Sequence, residues 1–541
     1  MSHWYRWGRA NFDYRLPPTA MDYLRQRVGE GQPTREVSLP EFVPKIAKSR
    51  LSGHTLYTTD SETRIQFSAG HSFPDWVAMK SGTVESVPDA VAFPENREEV
   101  RQLLKLSTEN RINLIPYGGG TSVVGHLTAP ISERPTITVS MGKMDRRLSL
   151  DRESRIALFQ AGILGPKLEE SLNRDGFTLG HYPQSFELSS LGGWIASRSA
   201  GQFSLGYGRI ERLLAGAIVE TPTGSVELPF FPASAAGPDI KEMILGSEGR
   251  LGFIVECALK ISKLPETQQF NGAFFPDTDS ALSAVKEIAR CGNSLAMIRL
   301  SFAEETETML RLNRADWKID LFQRYLTCKG IRQGKRCMML YGSLGSKKEV
   351  GANIKAVRSV VKRWKGVDAG TRPGSQWYRK RFKLPYLRNT LWSMGYGIDT
   401  VETATAWNRV PDMVADLESA IGEAMPAKHE KVHVFTHLSH VYPQGSSVYT
   451  TYLFRLADTP QETLRRWRAM KRAASETIVR HRGTISHQHG VGLDHKPYLQ
   501  SEKSENGLRL MQSLFETMDP HQTMNPGKLV DLRQDRRKPD P

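Results

Sequence analysis

Cysteine is scarce: the 541 residues hold four, Cys257, Cys291, Cys328 and Cys337, with no C-x-x-C pair. That usage gives neither a disulfide framework nor a thiolate zinc site, and it suits a reduced compartment. Long apolar runs are missing too, and no stretch approaches the roughly 18 residues that span a bilayer. The opening residues, MSHWYRWGRANFDYRL, mix aromatics with arginines and contain no apolar core of a secretory signal. The closing Pro-Asp-Pro is not the peroxisomal Ser-Lys-Leu. A cytoplasmic protein is therefore expected. Internal repeats and low-complexity tracts are absent. No zinc finger, RRM signature or helix-turn-helix is found, so nucleic acid is not an expected partner.

Positive charge is in excess. Lys plus Arg number 73 against 58 Asp plus Glu, a net +15. The excess gathers in WYRKRFK (377–383), LRRWRAMKR (464–472) and the tail DLRQDRRKPDP. Such a surface suits simple solvation, anionic headgroups or phosphorylated substrates. The length predicts more than one core. Residues 1–83 read as an irregular N-terminal extension wrapping the body. From 84 to 265 the pattern is α+β: AVAFP (90–94), INLIP (112–116), TITVS (136–140) and RIALFQAG (155–162) read as strands. Asn96 caps a helix with Val100, Leu103 and Leu104 on one face. Helices and strands then alternate over 266–480, and 481–541 completes the chain.

LIPYGGGTSVVGH (114–126) sets three consecutive glycines behind an apolar run. A P-loop would need Lys after Gly125, and His126 stands there. A Rossmann fingerprint would open a helix, but SVVGHLTAP is β-branched and ends in proline. Two readings remain: a tight strand-to-strand turn, or a nest of main-chain N–H groups around a pyrophosphate, helped by the Thr121 and Ser122 hydroxyls. Two more glycine- and serine-rich stretches, SSLGGWIASRSAGQFSLGYG (189–208) and LGSEGRLGFIVE (245–256), favour a long phosphate-bearing cofactor.

PYGGGTS, GGWIASRSAG and GSEGRLGFI together resemble the FAD-binding domain of the vanillyl-alcohol-oxidase, or PCMH-type, flavoproteins. Within that group the chain is most similar to the alkylglycerone-phosphate synthases. The resemblance implies a PCMH-type FAD-binding domain of two subdomains with an α/β cap, over 84–265 and 266–480, and 481–541 completing the active site. It implies non-covalent FAD, although His126 and His181 are the nearest positions for a covalent link. The pyrophosphate side would be bound by Pro116, Tyr117, Gly118, Gly119, Gly120, Thr121 and Ser122. Gln184, Ser185, Ser189 and Ser190 would touch the rest, with Ser197, Arg198, Ser199 and Ala200, and with Glu248, Gly249, Leu251, Gly252 and Ile254. Gln184 stands where the family often has Asp.

SHQHGVG sets His487 and His489 at i, i+2, which on a strand would place both imidazoles on one face. They could ligate metal, move protons or sit hydrogen-bonded in a core. HVFTHLSHVYPQGSSVYTTYLF (433–454) adds His433, His437, His440 and Tyr449. Metal-dependent 2-hydroxyacid dehydrogenases of the same fold carry a Gly-Asp-Gly-Asn stretch, missing here. They also carry a Glu where Gln488 stands, and glutamine offers a cation no charge. No metal is expected. The synthase resemblance assigns Tyr449 as acid/base with a lowered pKa, Arg388 as phosphate ligand, and Arg299, His487 and His489 as catalytic. It implies exchange of the acyl group of acyl-dihydroxyacetone phosphate for a fatty alcohol, redox-neutral through a flavin N5 adduct. The alternative is an FAD-dependent 2-hydroxyacid dehydrogenase or oxidase. Expected partners are a lipid-phosphate substrate, a membrane surface touched peripherally, and a second copy in a homodimer.

Overall fold

Alternation of apolar and polar residues builds three main sheets. The computed structural model describes residues 5–8, 12, 14–292, 294–312, 317–426 and 429–531, without the side chains of 317–320. The basic tail beyond Asp531 lies outside the described residues. The first sheet runs Tyr57–Thr58, Ala90–Ala92, Thr136–Ser140, Asn113–Tyr117. Its last three strands are parallel, with Leu114 opposite Ile137. A parallel strand is buried on both faces, which is why the Thr136–Ser140 strand is buried throughout. The glycine loop leaves the carboxyl end of Asn113–Tyr117, the end at which parallel sheets present ligand crevices.

The second sheet is antiparallel: Arg147–Asp151, Ile156–Gln160, Phe253–Lys260, Leu214–Thr221, Gly224–Leu228. Its last pair is a hairpin around Thr223-Gly224, closing with Thr221 opposite Gly224. The third has seven antiparallel strands: Val367–Asp368, Thr267–Phe275, Cys337–Gly345, Leu295–Ser301, Val432–Leu438, Gly445–Arg455, Tyr396–Ala406. Period-two alternation divides its residues. Thr436, Leu438, Val448, Tyr452 and Phe454 are buried, while Arg299, His437, Tyr449 and Thr451 line a cavity. Helices Thr278–Arg290 and Lys347–Arg363 pack together against this sheet, as do Val410–Glu423 and Pro460–Arg480.

Two expectations need correction. Residues 14–83 are not irregular: they form helices Pro18–Val28, Leu39–Phe42, Ser61–Gln66 and Phe73–Ser81. Their stops are local, since Ser72 accepts from Asp75 N–H at the start of the last helix and left-handed Gly82 ends it. Trp7 N–H donates to Asn389 Oδ1, and Asn389 Nδ2 donates back to the Trp7 carbonyl, both at 2.9 Å. Nor do His487 and His489 lie on a strand; residues 483–492 are a loop.

The chain's end returns to its beginning. Leu114 N–H donates to the Thr523 carbonyl and Asn525 N–H to the Leu114 carbonyl, so 523–525 runs beside the Asn113–Tyr117 strand. Phe73, fully buried, joins the extension to the large sheet through rings of Trp392, Phe454 and Trp467, with centroids 6.2, 5.4 and 5.9 Å away. Phe73→Ala should cost about 3–5 kcal/mol, read from the urea midpoint.

Candidate active site

The glycine loop is shaped first by contact with its own chain. A Cβ on Gly119 would sit 1.7 Å from the Leu188 carbonyl oxygen, and one on Gly118 2.2 Å from Ser190 Oγ. Gly120 adopts φ +72°, in the left-handed region. Gly118 and Gly119 thus let the loop press against 188–190, while a Cβ on Gly120 would meet the Tyr117 ring. Ser190 Oγ accepts from Gly193 N–H at the start of helix Leu191–Ser197, whose first residues Gly192 and Gly193 line the cavity. Loop amides and this helix start form a cradle suited to an anion.

A cavity of about 480 Å³ begins at that cradle. Of the residues assigned to cofactor binding, Pro116 through Ser122, Gln184, Ser185, Ser189, Ser190, Ser197, Ser199, Ala200, Glu248, Gly249, Gly252 and Ile254 line it. Two do not. Leu251 is packed in the core beside Ile244 and Ile254. Arg198 turns its guanidinium to Glu242, 3.0 Å away, and its carbonyl accepts from Arg209. Glu248 lines the cavity, but its carboxylate accepts from the Val491 and Gly492 amides and lies 3.0 Å from His126 Nε2. His126 Nδ1 is 2.8 Å from Ser122 Oγ. His181 is fully buried against Ser199 Oγ at 2.8 Å, and burial pulls its pKa down to about 3.

The same cavity reaches the large sheet, where Arg299, Glu305, His437, His440, Tyr449 and His489 line it. Strand pairing sets His437 opposite Tyr449 and Glu402 opposite Tyr449 from the other side. The His437 and Tyr449 rings stack at 4.9 Å and 27°. His489 meets the Tyr449 ring edge-on at 5.7 Å. The lowered pKa expected for Tyr449 is overturned: burial pushes it up to about 12, and Arg299 offsets little. Its hydroxyl donates to Thr400 Oγ1 at 3.3 Å.

Arg299 is held by buried Glu305, as is His437, whose Nδ1 lies 2.9 Å from Glu305 Oε2. His487 sits behind the cavity wall rather than on it, with Nε2 2.6 Å from the Tyr442 hydroxyl and 2.7 Å from Arg209 Nη1. Burial pulls its pKa well down. Arg388 lines the cavity and lies 4.3 Å over the Trp76 ring. Nη1 donates to the His71 carbonyl at 2.6 Å, while buried Nε and Nη2 have no hydrogen-bond partner among the described residues. Burial lowers its pKa, so an anion on that edge gains a desolvated, bidentate donor. Among the described residues no group of three or more His, Cys, Asp or Glu is arranged to hold a metal ion.

Sequence reasoning missed Glu402 and Glu305. Glu402 is 1% exposed and accepts from the main-chain N–H groups of His487, Gln488 and His489 and from Ser486 Oγ. The available signal was one acid inside the apolar strand TVETATA. Glu305 had none, since FAEETETML offers three similar glutamates.

Residues 88–228 match the family model described as FAD binding domain, and 264–529 match FAD linked oxidases, C-terminal domain. An alkyldihydroxyacetonephosphate synthase of Dictyostelium discoideum is 31% identical, covering 91% of this chain and 81% of its own length. One from Trypanosoma brucei brucei is also 31% identical, covering 92% and 83%. A solved alkyldihydroxyacetonephosphate synthase structure superposes with TM-score 0.82 at 27% identity over 95% of this chain and 92% of that one. The chain belongs to the alkyldihydroxyacetonephosphate synthase family. FAD is its cofactor, and the family and fold expected from PYGGGTS, GGWIASRSAG and GSEGRLGFI are borne out. The cradle, lined by Gly118, Gly119 and Gly120, fits FAD's diphosphate through main-chain N–H groups.

Two outcomes follow. Gly119→Ala should purify with little flavin absorbance, because its methyl would force the 118–120 loop off 188–190. Glu402→Ala should lower stability at pH 7 by at least about 2 kcal/mol, given several bonds to one buried charge. Burial raises the Glu402 pKa, but His489 and the amides overcome this and leave it below the ordinary value. Its contribution is therefore whole above the ordinary carboxylate range and is lost as pH falls through the folded value. Urea midpoints of the two proteins should converge in acid.

Proposed function

We propose that the chain is an FAD-dependent alkylglycerone-phosphate synthase, exchanging the acyl group of acyl-dihydroxyacetone phosphate for a fatty alcohol without net redox. The observation that carries this reading is one cavity that contains the diphosphate cradle, the unpartnered edge of Arg388 and an apolar arm. Leu16, Leu24, Leu387, Leu391, Phe435 and Leu453 line that arm, between helix Pro18–Val28 and the large sheet. An alkyl chain in this arm gains about 0.8 kcal/mol for each buried methylene.

When bound, FAD would supply a flavin whose chemistry allows the exchange without an outside oxidant. Arg388 grips the substrate phosphate through Nε and Nη2. Tyr449, neutral with a pKa near 12, donates a hydrogen bond to a substrate oxygen instead of removing a proton. His489 lines the cavity beside it, and His487 fixes the wall from behind through Tyr442 and Arg209. FAD is held without a covalent link: His181 is closed off by Ser199, and His126 lies between Ser122 and Glu248. Gln488 supplies no carboxylate to a cation, which weighs against the 2-hydroxyacid reading.

The enzyme works at an anionic membrane surface. Support comes from the net +15 and from exposed Arg379, Lys380 and Lys383, close in sequence to the cavity-lining Trp377 and Leu384. No described helix is long and apolar enough to cross a membrane.

With acyl-dihydroxyacetone phosphate and hexadecanol, the purified yellow protein should form ether product while its visible spectrum stays oxidised. Anaerobic bleaching by D-lactate or glycolate, with no ether product, would refute the reading. Arg388→Met should raise KM for the lipid phosphate by at least about tenfold, from lost charge-assisted bonds, and leave FAD content unchanged. Leu24→Trp should shift preference toward shorter alcohols, measured by competition among chain lengths.

A further inference from the structure

The strand Val432–Leu438 carries the cavity wall from the apolar arm to the reacting end. Alternate residues on one face, His433, Phe435 and His437, line the cavity, and Ser439 extends that row by one step. Phe435 belongs to the arm, and His437 is stacked on Tyr449. Ser439 therefore lies beyond the His437–Tyr449 pair, at the end of the row away from the arm.

Around Ser439 the hydrogen-bond directions are forced. His440 Nε2 is 3.0 Å from the Gly201 carbonyl, which can only accept, so Nε2 carries the ring proton. Nδ1 is then the bare nitrogen of a neutral ring, and it accepts from the Ser439 hydroxyl at 3.0 Å. With its one hydrogen committed, Ser439 Oγ accepts from the Ser447 hydroxyl at 2.8 Å, while Ser447 Oγ accepts from the His440 main-chain N–H at 2.9 Å. One acceptor position on Ser439 Oγ is left over at the cavity wall. Burial pulls the His440 pKa down to about 4, which keeps the ring neutral; Arg209 and His437 lower it as well, and the Gly201 carbonyl and Glu402 oppose them. The His487 ring lies 5.0 Å away on the far side of the wall.

The two reactants differ in what they offer such an acceptor. The ketone, ester and ionised phosphate oxygens of acyl-dihydroxyacetone phosphate accept hydrogen bonds, whereas the fatty alcohol brings a hydroxyl donor. A chain lying in the arm beside Phe435 points that hydroxyl along the row toward Ser439. We propose that Ser439 is the catalytic residue that receives the hydroxyl proton of the entering alcohol, with His440 the positioning residue that orients its oxygen and takes the proton it passes on. The inference rests on the synthase reading above. In the step, the C1–O bond to the acyl carboxylate breaks with its electron pair on the carboxylate, and a C1–O bond forms with a pair from the alcohol oxygen. The alcohol O–H bond breaks toward Ser439 Oγ as the Ser439 proton moves to His440 Nδ1. The imidazolium so formed gives its proton to water, and nothing is oxidised or reduced.

The test is steady-state kinetics on FAD-loaded protein with palmitoyl-dihydroxyacetone phosphate and hexadecanol. Ser439→Ala should keep its flavin absorbance and its affinity for the lipid phosphate in the absence of alcohol. It should lose at least about 100-fold in kcat/KM for hexadecanol, the usual worth of a positioned proton acceptor. Ser439→Thr, which restores the hydroxyl, should recover most of that loss. His440→Asn, which can accept from Ser439 but takes up no proton, should match Ser439→Ala, and the double variant should be no slower than either, as expected for groups that act as one unit. Ether formation by Ser439→Ala at the natural rate would overturn the proposal, as would single losses that multiply in the double variant. So would an Nδ1–H tautomer of His440 in nitrogen NMR of the histidine-labelled natural enzyme, which decides the matter even if a variant loses FAD. Absence of ether product from the natural enzyme would instead refute the synthase reading.

Discussion

Two buried carboxylates hold one loop, and the site depends on that clamp. Glu402, on the large sheet, gathers the amides of residues 487–489. Glu248, on the cradle side, gathers those of 491 and 492. A buried acid is costly unless its oxygens are filled, and main-chain N–H groups fill them here. Glu402 lies in the segment that matches the FAD linked oxidases, C-terminal domain, and Glu248 in the stretch before it, so the loop ties the cradle side of the cavity to the large sheet. Gly490, between the two grips, has φ +86°, a conformation that suits glycine.

The clamp also sets the electrostatics. Carboxylates under the wall raise the Tyr449 pKa beyond what burial alone does, while Arg299 is already engaged by Glu305. The phenol therefore stays protonated. Arg388 differs from Arg299 in this respect: its outer donors are unpartnered, so its charge remains for a ligand.

Local rules were readable in the sequence where they depend on neighbours in the chain. The Asn96 cap, the Thr223-Gly224 hairpin and the run of glycines each follow from short-range sterics. The cradle was legible because three glycine-rich segments cannot all be idle turns. What pairs across the fold was not legible. Nothing in TVETATA says that Glu402 meets amides 85 residues later, and nothing marks Glu305 among its neighbours. The spacing of His487 and His489 suggested a strand, but Glu402 holds that stretch as a loop, which sends His487 behind the wall. The Tyr449 pKa was misjudged for a related reason: charge counting along the chain cannot register burial.

The most direct measurement is an experimental structure of the protein with FAD and a non-reactive alkyl-dihydroxyacetone phosphate. The account predicts the FAD diphosphate on the amides of 118–122, the ligand phosphate on Nε and Nη2 of Arg388, and the alkyl chain between Leu24 and Leu391. A ligand phosphate bound away from Arg388, with the alkyl chain outside that arm, would contradict it.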